Sequence, residues 1–177
     1  DLHSTSRRQR QMCIRDSLEK AYENGEDREA RRNMMIASTI GGMAFISSNV
    51  GAVHAFAETV GAWFDTPHGV ANSLFLPYIM EFNIPACPER FADIADAMGI
   101  EREESMSDEQ YALKAVEYVK ALNRKLNIPT IKEIKGITEE RFEAIAERSA
   151  NNVLSNDNAR KITKEDYLEL LKKAYNE

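Results

Sequence analysis

Apolar positions recur along this chain at three- and four-residue spacing and nowhere in a sustained period-2 alternation. Residues 18–25 read as a short helical stub. Asp27 can cap the next helix, with Glu29 in its first turn, where the helix dipole favours acid. That helix is expected to run to about Ser47, with Met35, Ala37, Ile40, Ala44 and Phe45 on its apolar surface. A further helix starts near Asn49 and carries His54, and Gly61 is expected to stop it. Residues 62–67 form a tight connection, because Pro67 holds Thr66 extended. His68-Gly69 opens a helix through Leu76, which Pro77 kinks or ends, and Pro85 and Pro88 bracket a turn.

The second half is more regular. Phe91, Ile94, Ala95 and Met98 fall at i, i+3, i+4 and i+7, and Gly99 closes that run. Ser107-Asp108-Glu109-Gln110 reads as a capping box, and Val116, Val119, Leu122 and Leu126 carry the stripe to a break at Ile128-Pro129-Thr130. Phe142, Ile145, Ala146 and Ser149 share one helix face. Thr163-Lys164-Glu165-Asp166 is a second box-like start, followed by Leu168, Leu171 and Tyr175. The pattern predicts an all-α, multi-helix bundle of about seven or eight helices.

Residues 33–57 carry no formal charge, a length that could span a bilayer. Ser38, Thr39, Ser47, Ser48 and Asn49, with Gly41, Gly42 and Gly51, argue instead for two consecutive buried helices broken near Ser48-Asn49, the small residues allowing close backbone approach. A chain of 177 residues with 43% hydrophobic and 29% charged residues fits one soluble globular domain, with or without a tail. The net charge is -6, although the first seventeen residues hold four Arg against two Asp. An acidic body excludes a general affinity for nucleic acid or an anionic membrane. Cys13 and Cys87 have no ligand-like spacing, which suits a reducing, cytoplasmic setting. Residues 1–17 lack an apolar central region and are no signal peptide. They are similar to translated sequencing adapter and are expected to be a foreign or disordered tail, so His3 is discounted as a ligand. The helical domain is then 18–177.

The chemistry concentrates at His54 and His68. A continuous helix would hold them roughly 21 Å apart at about 1.5 Å per residue. Gly61 and Pro67 break that helix and allow the chain to double back. Neutral imidazoles suit iron, zinc, copper or nickel. Glu58 lies one turn after His54 on the same face and Asp65 three residues before His68, so a set of two imidazoles and one carboxylate could form here. Against it stands a satisfied core histidine at His54 and a helix cap at His68. Gly41-Gly42 lacks the strand–turn–helix setting of a dinucleotide loop and reads as a helix-packing site. Met34, Met35 and Met43 read as core filler rather than a soft-metal site.

Three segments carry a more specific signal: Gly51-Ala52-Val53-His54-Ala55, Asp65-Thr66-Pro67-His68-Gly69-Val70-Ala71-Asn72 and Leu76-Pro77-Tyr78-Ile79-Met80-Glu81-Phe82-Asn83. With Leu126-Asn127-Ile128-Pro129-Thr130 and the ending from Thr163 to Tyr175, they make residues 18–175 resemble the C-terminal helical domain of the iron-containing (group III) alcohol dehydrogenases. The resemblance implies an NAD- or NADP-dependent oxidoreductase interconverting small alcohols with aldehydes or ketones. It implies a Rossmann-like nucleotide-binding domain preceding this one, with the metal in the cleft between them. Iron(II), or zinc, would take an Asp and a His from the preceding segment and two more ligands matching His54 and His68. Phe45 matches a position lining the substrate pocket. Glu58 replaces a histidine found in many relatives and would serve as a proton relay. A homodimeric full-length protein is implied, and a fragment inactive by itself. The alternatives are a superfamily cousin of the glycerol dehydrogenase or dehydroquinate synthase type, and a non-enzymatic helical interaction module.

Overall fold

The computed structural model describes residues 17–177, and only the backbone of Ser47 and Ser48. The expectations for residues 1–16 therefore lie outside the described residues. Eight α-helices joined by turns and short 3-10 segments account for the described fold, which contains no strand. They are α1 (residues 17–23), α2 (Arg28–Ser48), α3 (Ala52–Phe64), α4 (His68–Asn83), α5 (Pro88–Ala97), α6 (Asp108–Lys125), α7 (Phe142–Ala150) and α8 (Lys164–Asn176).

The caps follow the residues expected of them. Asp27 accepts from the Ala30 amide at 2.9 Å to start α2. Ser107 and Gln110 form the reciprocal box that starts α6. Thr163 and Asp166 do the same for α8. Gly99 and Asn127 take up positive φ just beyond α5 and α6, where a left-handed residue turns the chain out of the helix.

Two apolar clusters fill the interior. The larger joins α3, α4, α7 and α8 around Phe56, which stacks on Phe75 at 4.3 Å and meets Tyr167 edge-on at 4.6 Å. The smaller joins the end of α4 to α5 and α6 through Met80, Ala95, Tyr111, Ala115 and Val119. A hydroxyl chain threads the larger cluster. Tyr167 lies 2.7 Å from Ser155 Oγ, which donates to the Ser149 carbonyl at 2.7 Å. Ser149 Oγ donates to Thr59 Oγ1 at 3.2 Å, and Thr59 donates to the Ala55 carbonyl at 2.9 Å. The Ser155 proton is already spent, so the Tyr167 hydroxyl must donate to it.

Several expectations are corrected. Pro77 neither ends nor breaks its helix, since α4 continues to Asn83. Proline removes the amide that would bond the Ser73 carbonyl, and Asn123 Nδ2 of α6 takes that acceptor at 2.6 Å instead. Gly61 does not stop α3, which runs on to Phe64 and ends where Asp65 adopts φ 49. In α8 the most buried positions are Tyr167, Leu170, Leu171 and Ala174, one residue out of phase with Leu168 and Tyr175.

The α2 helix departs furthest from expectation. Ala37 is buried, but Met35, Met43, Phe45 and Ile46 are exposed, and no atom stands within 4 Å of a Cβ placed on Gly42. The expected burial of both helices across the Ser48–Asn49 break therefore holds for α3 and not for α2, because no other described helix covers that face. No helix among the described residues is long and apolar enough to cross a membrane.

Asn123→Ala should cost about 0.5–1.5 kcal/mol in urea unfolding, the usual net worth of a hydrogen bond, since this one is only part-buried; an unchanged midpoint would mean that Ser73 finds another donor. Burial raises the Tyr167 hydroxyl to about 12, against its ordinary 10.0. A raised folded-state value leaves stability intact below pH 10 and erodes it as pH climbs towards 12, because the unfolded chain loses the proton first. Unfolding midpoints of Tyr167→Phe should accordingly fall less between pH 10 and 12 than those of the parent.

Candidate metal centre

The site is built on the reversal between α3 and α4. Asp65 ends α3 in the left-handed region, Thr66 is buried, and Pro67 at φ -53, ψ 134 sets the entry to α4. Gly61 serves this reversal in a way different from the expected stop: a Cβ there would lie 3.2 Å from the Thr66 carbonyl oxygen, so its absence lets the loop fold against the helix. The Phe56–Phe75 stack then holds the two helices together.

His54 stands in the first turn of α3 and His68 is the first residue of α4. Their ring centroids lie 5.3 Å apart, with the planes inclined at 56°. Metal–imidazole bonds are about 2.0–2.1 Å, so two nitrogens sharing an ion lie within about 4.2 Å of each other. The observed ring separation permits that. His54 is half-buried and His68 exposed. Burial, then the neighbouring His68, lowers the His54 pKa below 6.5, while Glu58 opposes them. Both leading causes favour the neutral ring, which is the ligating form.

The start of α3 is clamped from the C-terminal part of the chain. Asn158 Oδ1 accepts from Asn83 Nδ2 at 3.1 Å and from the Ala52 amide at 3.4 Å. Asn158 Nδ2 donates to Asn83 Oδ1 at 2.7 Å and to the Arg160 carbonyl at 2.7 Å. One side chain thus ties the first turn of α3 to the last residue of α4. Gly51 makes room for it, since a Cβ there would stand 3.0 Å from Asn158 Oδ1 and 3.2 Å from Asn158 Cα. Periodicity gave no hint of this clamp; the only trace in sequence is a cluster of asparagines at 151, 152, 156 and 158.

Glu58 is exposed, and its Oε2 accepts from Asn152 Nδ2 at 2.8 Å. Asp65 is also exposed and serves as the cap of α3. The expected set of two imidazoles and one carboxylate is not assembled. Among the described residues no three His, Cys, Asp or Glu side chains are grouped to hold a metal ion. The donor chemistry of the two imidazoles suits a metal, but among the described residues no third such donor joins them. Phe45 lies 51% exposed on the uncovered face of α2 and is not brought into a closed pocket by this chain.

The family model for the C-terminal region of Fe-containing alcohol dehydrogenases matches residues 7–175, a span that begins inside the arginine-rich segment. The chain is 37% identical over 165 residues to alcohol dehydrogenase 4 of Saccharomyces cerevisiae, covering 92% of this chain and 41% of that one. It is 38% identical over 149 residues to lactaldehyde reductase of Escherichia coli, covering 84% and 39%. The structure superposes on the alcohol dehydrogenase from Oenococcus oeni with a TM-score of 0.91 and 38% identity, over 97% of this chain and 45% of the other. The described fold is all-helical and brings two imidazoles together across one sharp reversal. This chain belongs to the Fe-containing alcohol dehydrogenase family. It spans about two-fifths of the length of the curated relatives it matches.

Gly51→Ala should lower stability by about 1–3 kcal/mol through overpacking and push Asn158 off the Ala52 amide. Chemical denaturation measures the first effect and the Ala52 amide exchange rate the second; an unperturbed variant would mean that the clamp has slack.

Proposed function

We propose that this chain is the metal-side half of an NAD(P)-dependent, metal-dependent alcohol dehydrogenase, with residues 18–177 as its helical metal-binding domain. The convergence of His54 and His68 at 5.3 Å, inside a family domain, carries the reading. In it, His54 and His68 hold iron(II), with zinc as the alternative, and the remaining ligands and the nucleotide site come from the family's other domain. The family is defined by iron, and its members include an NADPH-dependent butanol dehydrogenase of Clostridium saccharobutylicum and an NAD-dependent methanol dehydrogenase of Bacillus methanolicus. When bound, the metal would act as a Lewis acid on the substrate oxygen while nicotinamide accepts hydride.

The chain's own residues have separate tasks. The lowered pKa of His54 keeps that ring neutral and ready to ligate. Glu58, held by Asn152 on the same helix face one turn on from His54, takes up and passes on the substrate proton. Phe45 forms part of the substrate wall once the exposed face of α2 is covered. The substrate is a small alcohol or aldehyde. The full protein works as a homodimer in the cytoplasm, and the acidic charge balance supports its lack of affinity for nucleic acid and anionic membranes.

The test is complementation. Fused to the nucleotide-binding domain of a relative and loaded with iron(II), the chain should support NAD(P)-linked alcohol oxidation. His54→Ala and His68→Ala should each lower that activity at least about 100-fold, beyond the 10–100-fold typical of residues that only support a ligand. By itself the chain should bind ferrous or zinc ion weakly in calorimetric titration. A folded, metal-loaded but inactive fusion, or full activity after loss of either histidine, would refute the reading.

A further inference from the structure

One polar group near the site is left unpaired, and it identifies a positioning residue. Asn72 lies one helical turn after His68 on α4. Its Nδ2 stands 2.9 Å from the His68 carbonyl oxygen and 3.1 Å from His68 Nε2. The carbonyl oxygen can only accept, so the amide nitrogen must face it; a flipped amide would set two acceptors against each other. The two Nδ2 protons are then directed at the carbonyl and at Nε2. Asn72 Oδ1 is left buried with no hydrogen-bond partner among the described residues. The main-chain carbonyl of His68 thus fixes the Asn72 amide, and its second proton is directed at the ring.

We propose that Asn72 fixes His68 in the Nδ1–H tautomer and so keeps the Nε2 lone pair unprotonated and turned to a donor. A ring nitrogen that accepts a hydrogen bond carries no proton, so in the neutral ring the proton resides on Nδ1. A free neutral imidazole side chain favours the opposite form, with the proton on Nε2. Asn72 therefore reverses an intrinsic preference. The nitrogen it guards is the one a metal can take without expelling a proton, and a metal arriving there displaces a weak donor. This use of the tautomer rests on the reading of His68 as a ligand. The tautomer itself does not, since it is set before any metal binds.

The experiment uses the full chain, uniformly labelled with nitrogen-15, without added metal. Long-range proton–nitrogen correlation at alkaline pH reports which nitrogen of each neutral ring bears the proton, with His3→Gln and His54→Gln assigning the other two rings. His68 should be mainly Nδ1–H, with a through-hydrogen-bond coupling between Asn72 Nδ2 and His68 Nε2. In Asn72→Ala the Nδ1–H form should fall from majority to minority while the His54 ring is unchanged; a merely structural role for Asn72 would not move this ratio. A parent chain with His68 mainly Nε2–H overturns the proposal, whether or not the variant folds. So does an Nδ1–H form that survives Asn72→Ala. A correct tautomer in a chain whose metal-loaded fusion is inactive would refute the functional reading alone.

Discussion

The reversal between α3 and α4 is the constraint on which this structure depends. Three residues, Asp65, Thr66 and Pro67, turn the chain back on itself between α3 and α4, and the stacked rings of Phe56 and Phe75 hold the two helices together. Without that turn the two imidazoles would lie at opposite ends of one rod. With it they sit 5.3 Å apart. The stack is supported edge-on by Tyr167, so α8, the last helix in the chain, stabilises a turn formed a hundred residues earlier.

Much of the support for this pair is polar. Buried hydroxyls run from Tyr167 through Ser155 and Ser149 to Thr59 beneath α3, each proton directed at an acceptor. Asn158 bridges the start of α3 and the end of α4, and Asn123 occupies the carbonyl that Pro77 leaves open. Hydrogen bonds of this kind add little net energy when satisfied and cost much when broken. They act chiefly as selectors: a core of the same apolar volume without them could let α3 slide or rotate against α4. That matters where His54, in the first turn of α3, faces His68 at the start of α4.

The α2 helix shows the other side of this economy. Its apolar side chains Met35, Met43, Phe45 and Ile46 face outward, in a chain that corresponds to two-fifths of its relatives' length. An uncovered apolar helix and a pair of neighbouring imidazoles without a third donor agree with the proposed reading of this chain as one wall of a cleft.

Much of this was written in the sequence. The absence of alternation fixed the all-α class, and the boxes at Ser107 and Thr163 and the cap at Asp27 set helix starts, because capping is a contact within four residues. The Gly51–His54 and Asp65–Asn72 segments pointed to the family and to both histidines. What failed was what depends on distant residues. Pro77 looks like a helix end until Asn123, fifty positions beyond Ser73, supplies the missing partner for the Ser73 carbonyl. Gly61 looks like a stop until the loop folds against it. The carboxylates of Glu58 and Asp65 count as ligands by spacing alone, yet Glu58 is bound by Asn152 and Asp65 sits exposed where its left-handed backbone ends α3. Local composition decides which helices form and where they begin; only packing decides which faces meet, because burial and hydrogen-bond partners come from segments that sequence distance does not reveal.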